Sequence, residues 1–148
     1  MPCPNNGNAE RATRNGHRIS YYAVAAHGNR LFCAPRDASS VLVIDPATDT
    51  VTTIECGVSG NCKWSGIAAH DGRLFCAPFC ASGVLVIDPA DEAVHTIECG
   101  VSGDLKWMGI AACDGRLFCA PYDASGVLVI DPAAETVHTI ECGVLGER

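Results

Sequence analysis

From about residue 20 onward, short apolar runs alternate with clusters of Gly, Pro, Asp and Asn, and no window shows the three-to-four-residue spacing of an amphipathic helix. The pattern is clearest toward the end of the chain. Met108-Gly109-Ile110-Ala111-Ala112 runs into a Cys113-Asp114-Gly115 turn, and Arg116-Leu117-Phe118-Cys119-Ala120 follows before Pro121. Asp123-Ala124-Ser125-Gly126 marks a second turn, Val127-Leu128-Val129-Ile130 a third run, and Asp131-Pro132-Ala133 a third turn ahead of Val137-His138-Thr139-Ile140-Glu141-Cys142. Runs of strand length joined by short turns predict a four-stranded antiparallel meander. The third run does not alternate apolar with polar, so both of its faces should be covered.

This unit is repeated. Leu-Phe-Cys-Ala-Pro begins at Leu31, Leu74 and Leu117, 43 residues apart each time, and Ile-Glu-Cys-Gly and Val-Ile-Asp-Pro recur with the same offset. A fixed period in this range marks propeller blades or solenoid units. The units run Ser20 to Cys62, Lys63 to Leu105 and Lys106 to Arg148, behind a polar stretch, residues 1–19, expected to be a flexible tail. The first strand of each unit is small, Gly-Ile-Ala-Ala or Ala23-Val24-Ala25-Ala26, as befits a strand crowded near a central axis. Radial stacking accounts for both the small first strand and the doubly buried third. The expected fold is all-β, a β-propeller with three four-stranded antiparallel blades per chain, residues 20–148 forming one propeller unit.

Three blades do not close a ring, because propellers usually have four to eight. An isolated half-ring would expose the apolar faces of its terminal blades, beyond the few hundred Å² a soluble monomer tolerates. Two chains about a two-fold axis would give six blades with every face covered. Homodimerisation is therefore expected, with a larger ring of several chains, or further blades in a longer protein, as the other solutions.

Composition changes this picture little. The chain is 48% hydrophobic and 18% charged, an ordinary globular balance. Ten basic residues against 17 acidic ones give a net charge of −7 with no Lys/Arg cluster, which argues against nucleic acid as a partner. No apolar leader or membrane anchor precedes the repeats, so a cytoplasmic location and no membrane partner are expected. Six of the ten cysteines keep the repeat's phase, at Cys33, Cys76 and Cys119 and at Cys56, Cys99 and Cys142. In a meander these two positions fall on the second and fourth strands, about 10 Å apart. A disulfide needs Cα atoms within about 7 Å, so free thiols acting as small apolar residues are expected.

Gly109-Ile-Ala-Ala-Cys-Asp-Gly-Arg-Leu-Phe-Cys-Ala-Pro, then Val127-Leu-Val-Ile-Asp-Pro-Ala and Glu135-Thr-Val-His-Thr-Ile-Glu-Cys-Gly, resembles the YVTN-type β-propeller repeat, with kinship to NHL repeats and streptogramin-lyase-like propellers. The resemblance covers Ser20 to Arg148 and departs from the family at Cys-Ala-Pro and in its blade count. It implies the fold rather than one function, since such propellers include enzymes, cell-surface proteins and binding scaffolds.

In that fold the segments leading into each first strand and those between strands two and three share one rim, which the resemblance implies is the ligand face. The rim would gather Asn61, Lys63 and Trp64 with Asp104, Lys106 and Trp107, along with Arg36-Asp37, Phe79-Cys80 and Tyr122-Asp123. Aromatic planes beside Lys and Asp suit a polar ligand with an apolar face, a sugar, peptide or small metabolite. The opposing reading is that Trp64, Trp107 and Tyr21 wedge between blades while Lys63 and Lys106 are simply solvated. Asp45, Asp88 and Asp131 precede Pro and read as turn-forming acceptors. His27, His70 and Cys113 could ring a metal only if brought together, and Cys62 and Cys80, which break the repeat's phase, read as two ordinary thiols unless their loops meet.

No Ser/His/Asp order, phosphate loop or zinc spacing is present, and no catalytic residue or cofactor is expected. The expected function is a non-catalytic scaffold binding a protein or small polar ligand on this rim. The alternatives are a metal-assisted hydrolase or lyase of the lactonase or streptogramin-lyase kind, drawing on Asp37, Asp123 and His95 or His138, and a propeller fragment with no ligand.

Overall fold

The structure, a computed structural model, describes residues 20–143. The expected tail at residues 1–19, and the end of the third unit, lie outside the described residues. The first unit folds as β1 (Tyr21–His27), β2 (Arg30–Pro35), β3 (Ser40–Asp45) and β4 (Thr50–Glu55), the second as β5 (Trp64–His70), β6 (Arg73–Pro78), β7 (Gly83–Asp88) and β8 (Ala93–Glu98). The third supplies β9 (Trp107–Cys113), β10 (Arg116–Pro121), β11 (Gly126–Asp131) and β12 (Thr136–Glu141). Each unit is its own four-stranded sheet, with consecutive strands paired antiparallel. The chain is all-β, and its three sheets are arranged as propeller blades.

The turns fold as the residues dictate. Asp71 and Gly72 take φ of 51° and 83°, and Asp114 and Gly115 take 57° and 80°, the paired positive values of a tight hairpin that Asp-Gly favours. At the third turn the Asp45, Asp88 and Asp131 carboxylates accept the amide N–H two residues on, at 3.0, 3.1 and 3.1 Å from Ala47, Ala90 and Ala133. These aspartates are the turn acceptors expected of them.

The innermost strands stand side by side, β5 contacting both β1 and β9. Their closeness depends on small residues. A Cβ added at Gly66 would lie 2.8 Å from the Gly109 Cα, nearer than real side chains approach, so the backbones meet only because position 66 is glycine; Gly109 itself has open space around it and takes a φ of 88°.

Two apolar seams join the blades, and they are built alike. In the first, Phe32, Ala34, Val41, Val43 and Ile54 of blade one pack on Trp64, Leu74, Cys76, Leu85 and Ile87 of blade two. In the second, Phe75, Ala77, Val84, Val86 and Ile97 of blade two pack on Trp107, Leu117, Cys119, Leu128 and Ile130 of blade three. Each blade thus has a phenylalanine face, which packs forward, and a leucine–tryptophan face, which receives the blade behind. Only in the middle blade are both faces of the third strand fully buried, Val84, Leu85, Val86 and Ile87 all having no exposed surface. In blade one Leu42 and Ile44 are half-buried, and in blade three Phe118 and Val127 are, because those faces have no neighbouring blade among the described residues.

Candidate functional site

The strand-two-to-three loops and the lead-in segments do share one rim, and backbone hydrogen bonds hold them together. Arg36, Asp37 and Ala38 donate amide N–H groups to the Ser20 carbonyl at 2.8, 3.2 and 3.3 Å, and Phe79 and Tyr122 donate to the Lys63 and Lys106 carbonyls at 2.9 and 2.8 Å. Between blades, Lys63 N–H donates to Arg36 and Lys106 N–H to Phe79, at 2.8 and 2.7 Å. The predicted ligand residues then divide into two groups.

Lys63 and Lys106 are not solvated; they are 2% and 3% exposed. Backbone carbonyls replace the water. The Lys63 ammonium donates to Ala38, Gly60 and Arg36 carbonyls at 2.7, 2.9 and 3.3 Å, and that of Lys106 to Ala81 and Gly103, both at 2.9 Å. Each lysine therefore staples its own lead-in to the loop of the blade behind. Burial pulls both ammonium pKa values below the usual lysine range, the nearby Cys56, Asp37 and Cys62 acting the other way on Lys63 and Cys99 and Asp104 on Lys106. Trp64 and Trp107 are buried in the seams, their indole N–H groups donating to Gly83 and Gly126 carbonyls at 2.9 and 2.8 Å. Wedging between blades is what these tryptophans do.

Asp37, Asp104, Tyr122 and Asp123 stay at the surface or half-buried on the rim. Asp37 accepts the Cys62 amide N–H at 2.8 Å, which ties two loops. Of the rim residues expected from sequence, Arg36, Phe79 and Tyr122 form a cluster, joined by Tyr22, which the sequence did not single out. The Arg36 guanidinium lies 5.3 Å from the Tyr22 ring centre and 5.9 Å from that of Phe79, which meets Tyr122 edge-on at 5.4 Å. Tyr22 and Tyr122 are 49% and 55% exposed, and Arg36 Nε is buried without a hydrogen-bond partner among the described residues. An aromatic-flanked guanidinium could take a carboxylate or a carbonyl-bearing ligand.

Cys62 is a free thiol within 3.6 Å of an Arg36 guanidinium nitrogen, but Cys80 is disulfide-bonded, contrary to the expectation of two ordinary thiols. All six in-phase cysteines are free, as strand geometry requires. Burial pushes the Cys99 thiol up to about 11, and those of Cys33, Cys76 and Cys119 up as well. Such thiols are packing groups, not nucleophiles.

At the other end of the strands a third set of contacts repeats. Arg30 stacks over Phe32 with its carbon 5.1 Å from the ring centre, and donates across the seam to the Pro89 carbonyl at 3.1 Å and to Glu92 at 3.4 Å. Arg73 does the same over Phe75, reaching the Pro132 carbonyl and Glu135, both at 2.8 Å. His95 also meets Glu135, at 3.0 Å. Burial opposes ionisation of Glu135, but hydrogen bonds from His95 and Arg73 and their charges outweigh it and hold the carboxyl below its usual range. The only sequence signal for this clamp was an arginine heading each Leu-Phe-Cys-Ala-Pro string. Two cavities open on this end. One of about 600 Å³ lies at the first seam beside His27, Asp45 and Pro89, and one of about 440 Å³ lies on blade one beside Ala26, Arg30, Leu31, Pro46 and Ala47. Among the described residues no group of three or more His, Cys, Asp or Glu converges to hold a metal ion.

Comparison with known proteins shows the fold and stops there. No protein-family model and no curated protein matches the chain. Solved structures do match. The extracellular domain of a proposed one-component system from B. thetaiotaomicron superposes with a TM-score of 0.70 at 15% identity, over 84% of this chain and 17% of that one. Hydrazine synthase from Kuenenia stuttgartiensis gives 0.64 at 18% over 82% and 35%, and glutaminyl cyclase from Myxococcus xanthus 0.54 at 18% over 78% and 49%. The chain thus spans less than half of each of these proteins. It is similar to them as a set of propeller-like blades. Among the described residues no helix is long and apolar enough to cross a membrane.

Proposed function

We propose that this chain is a non-catalytic β-propeller scaffold, kin to YVTN and NHL repeat proteins, that completes a six-bladed ring with a second copy and offers its loop rim to a protein or small polar ligand. One observation carries the reading. Every internal seam joins a phenylalanine face to a leucine–tryptophan face, and among the described residues one face of each kind is left without a neighbouring blade. Two copies related by a two-fold axis satisfy both, with the seam geometry already used twice. Mass in solution tests it: a species of twice 15.5 kDa is expected, and a 15.5 kDa particle at every concentration would refute closure.

With the lysines and tryptophans spent on the seams, the ligand face falls to Asp37, Asp104, Tyr122 and Asp123 with Arg36 and Tyr22. A carboxylate-bearing ligand fits Arg36 best, and Arg36→Ala is the variant that should abolish its binding. Eight free thiols among the described residues favour a reducing, cytoplasmic setting, and the Cys80 disulfide is the bond such a setting would reduce; counting thiols in protein taken from its native source decides between the two. The catalytic reading draws support from the names of two similar structures, and stoichiometric Mg, Ca or Zn in the purified protein would favour it.

A further inference from the structure

Resting on the two-copy ring just proposed, we infer that its closing seams are held by one specific site: Arg116 of each copy enters the 440 Å³ cavity on blade one of the other, donates to the Pro46 carbonyl and pairs with Asp49. The repeat register fixes the partners. Arg30 and Arg73 each reach a proline carbonyl and an acidic residue at the third turn of the following blade, Pro89 with Glu92 and Pro132 with Glu135. The corresponding residues of blade one are Pro46 and Asp49, and the corresponding arginine of blade three is Arg116.

All three components are already in the required conformation. Arg116 lies over Phe118 at 5.0 Å, as Arg30 and Arg73 lie over their phenylalanines at 5.1 Å. Asp49 has a φ of 56°, beside 52° and 57° for Glu92 and Glu135, so the receiving turn has the same shape. Pro89 and Pro132 are buried beneath an arginine, whereas Pro46 is exposed and borders the open cavity. His138, in the phase of His95, adds a second group facing Asp49 in the assembled ring.

The closing seam also lacks what the internal seams have. Ser20 stands where Lys63 and Lys106 stand, and Tyr21 where the tryptophans do. The carbonyls of Tyr122 and Ala124, in phase with the lysine acceptors Arg36 and Ala38, thus gain no ammonium from the other copy. With the rim end of this seam short of its ammonium, the arginine clamp at the other end is the side-chain contact left to set the register beside the backbone bonds, and Ser20→Lys should restore the missing staple.

The experiment is sedimentation equilibrium on the full chain and on Arg116→Glu, Asp49→Arg, the double variant and Ser20→Lys, with far-UV circular dichroism to verify that each stays folded. A lost charged hydrogen bond costs about tenfold, and two equivalent seams make that about a hundredfold in the dimer dissociation constant. Each single charge reversal should weaken pairing by about that much, the double variant should regain the ion-pair part of it but not the bond to the Pro46 carbonyl, and Ser20→Lys should tighten pairing. A dimeric parent whose pairing is unmoved by Arg116→Glu and Asp49→Arg would overturn the clamp and leave ring closure standing. A parent that never dimerises would overturn both.

Discussion

The residue that most repays attention is the lysine that opens the second and third units. A lysine beside tryptophan reads as a ligand group in sequence, yet at Lys63 and Lys106 the ammonium is enclosed by carbonyls of the preceding loop. Removing it strands those acceptors. Lys63→Met, which keeps the stem, is expected to lower unfolding free energy by about 2 kcal/mol in urea titration, and Lys106→Met by somewhat less, having two acceptors rather than three. Gly66 is the other singular position. Gly66→Ala drives a methyl into the Gly109 backbone and should cost about 1–3 kcal/mol by the same titration, whereas Gly28→Ala, with open space around it, would meet only its own positive φ.

Among the elements, the third strand shows how one string of residues acquires different energetics from its surroundings. Leu85 is fully buried between two blades, while Leu42, its equivalent, lies half-covered on an open face. Leu85→Ala should cost about 2–5 kcal/mol; Leu42→Ala should cost clearly less in the free chain and weaken pairing instead. The second and fourth strands contribute the buried thiols. The pKa values of Cys33, Cys76, Cys99 and Cys119 are raised in the folded state by burial, so their contribution is complete below the ordinary thiol value of about 9 and is lost as pH climbs through each raised value, about 11 at Cys99. Lys63 and Lys106, with lowered values, act oppositely, since the unfolded chain binds more protons in the interval just below 10.5 and stability there rises with pH. The thiols are more numerous, and Cys76 and Cys119 have no exposed surface at all. The urea midpoint should fall between pH 9 and 11, and a rise would mean that the lysines dominate.

For the whole molecule, the governing fact is that the blades stack with a direction. Phenylalanine faces point one way and leucine–tryptophan faces the other, which is a heterologous contact repeated until something closes it. Among the described residues it is made twice, and two unlike faces are left over. Closure by a second copy would bring the rim clusters into one ring, so a ligand held through Arg36 should bind two per dimer, measurable by calorimetric titration. The expectation of solvated lysines failed for the same reason that the fold succeeded: the interface between blades needs a hydrogen-bond donor where the loop carbonyls converge, and a lysine stem reaches them.

The sequence by itself determined the repeat, the twelve strands, the turns and the free in-phase thiols, because each rests on local chemistry: alternating runs, Asp-Gly and Asp-Pro dipeptides, and the fixed spacing of paired strands. Only the tertiary structure decided which side chains face a neighbouring blade. Burial of Lys63, the bridge from Arg30 to Pro89, the cluster around Arg36 and the asymmetry of the two end faces all join residues from different blades, and their positions follow from how the sheets rotate about a shared axis. Identical strings such as Arg73-Leu-Phe and Arg116-Leu-Phe therefore differ in role solely through what lies beside them.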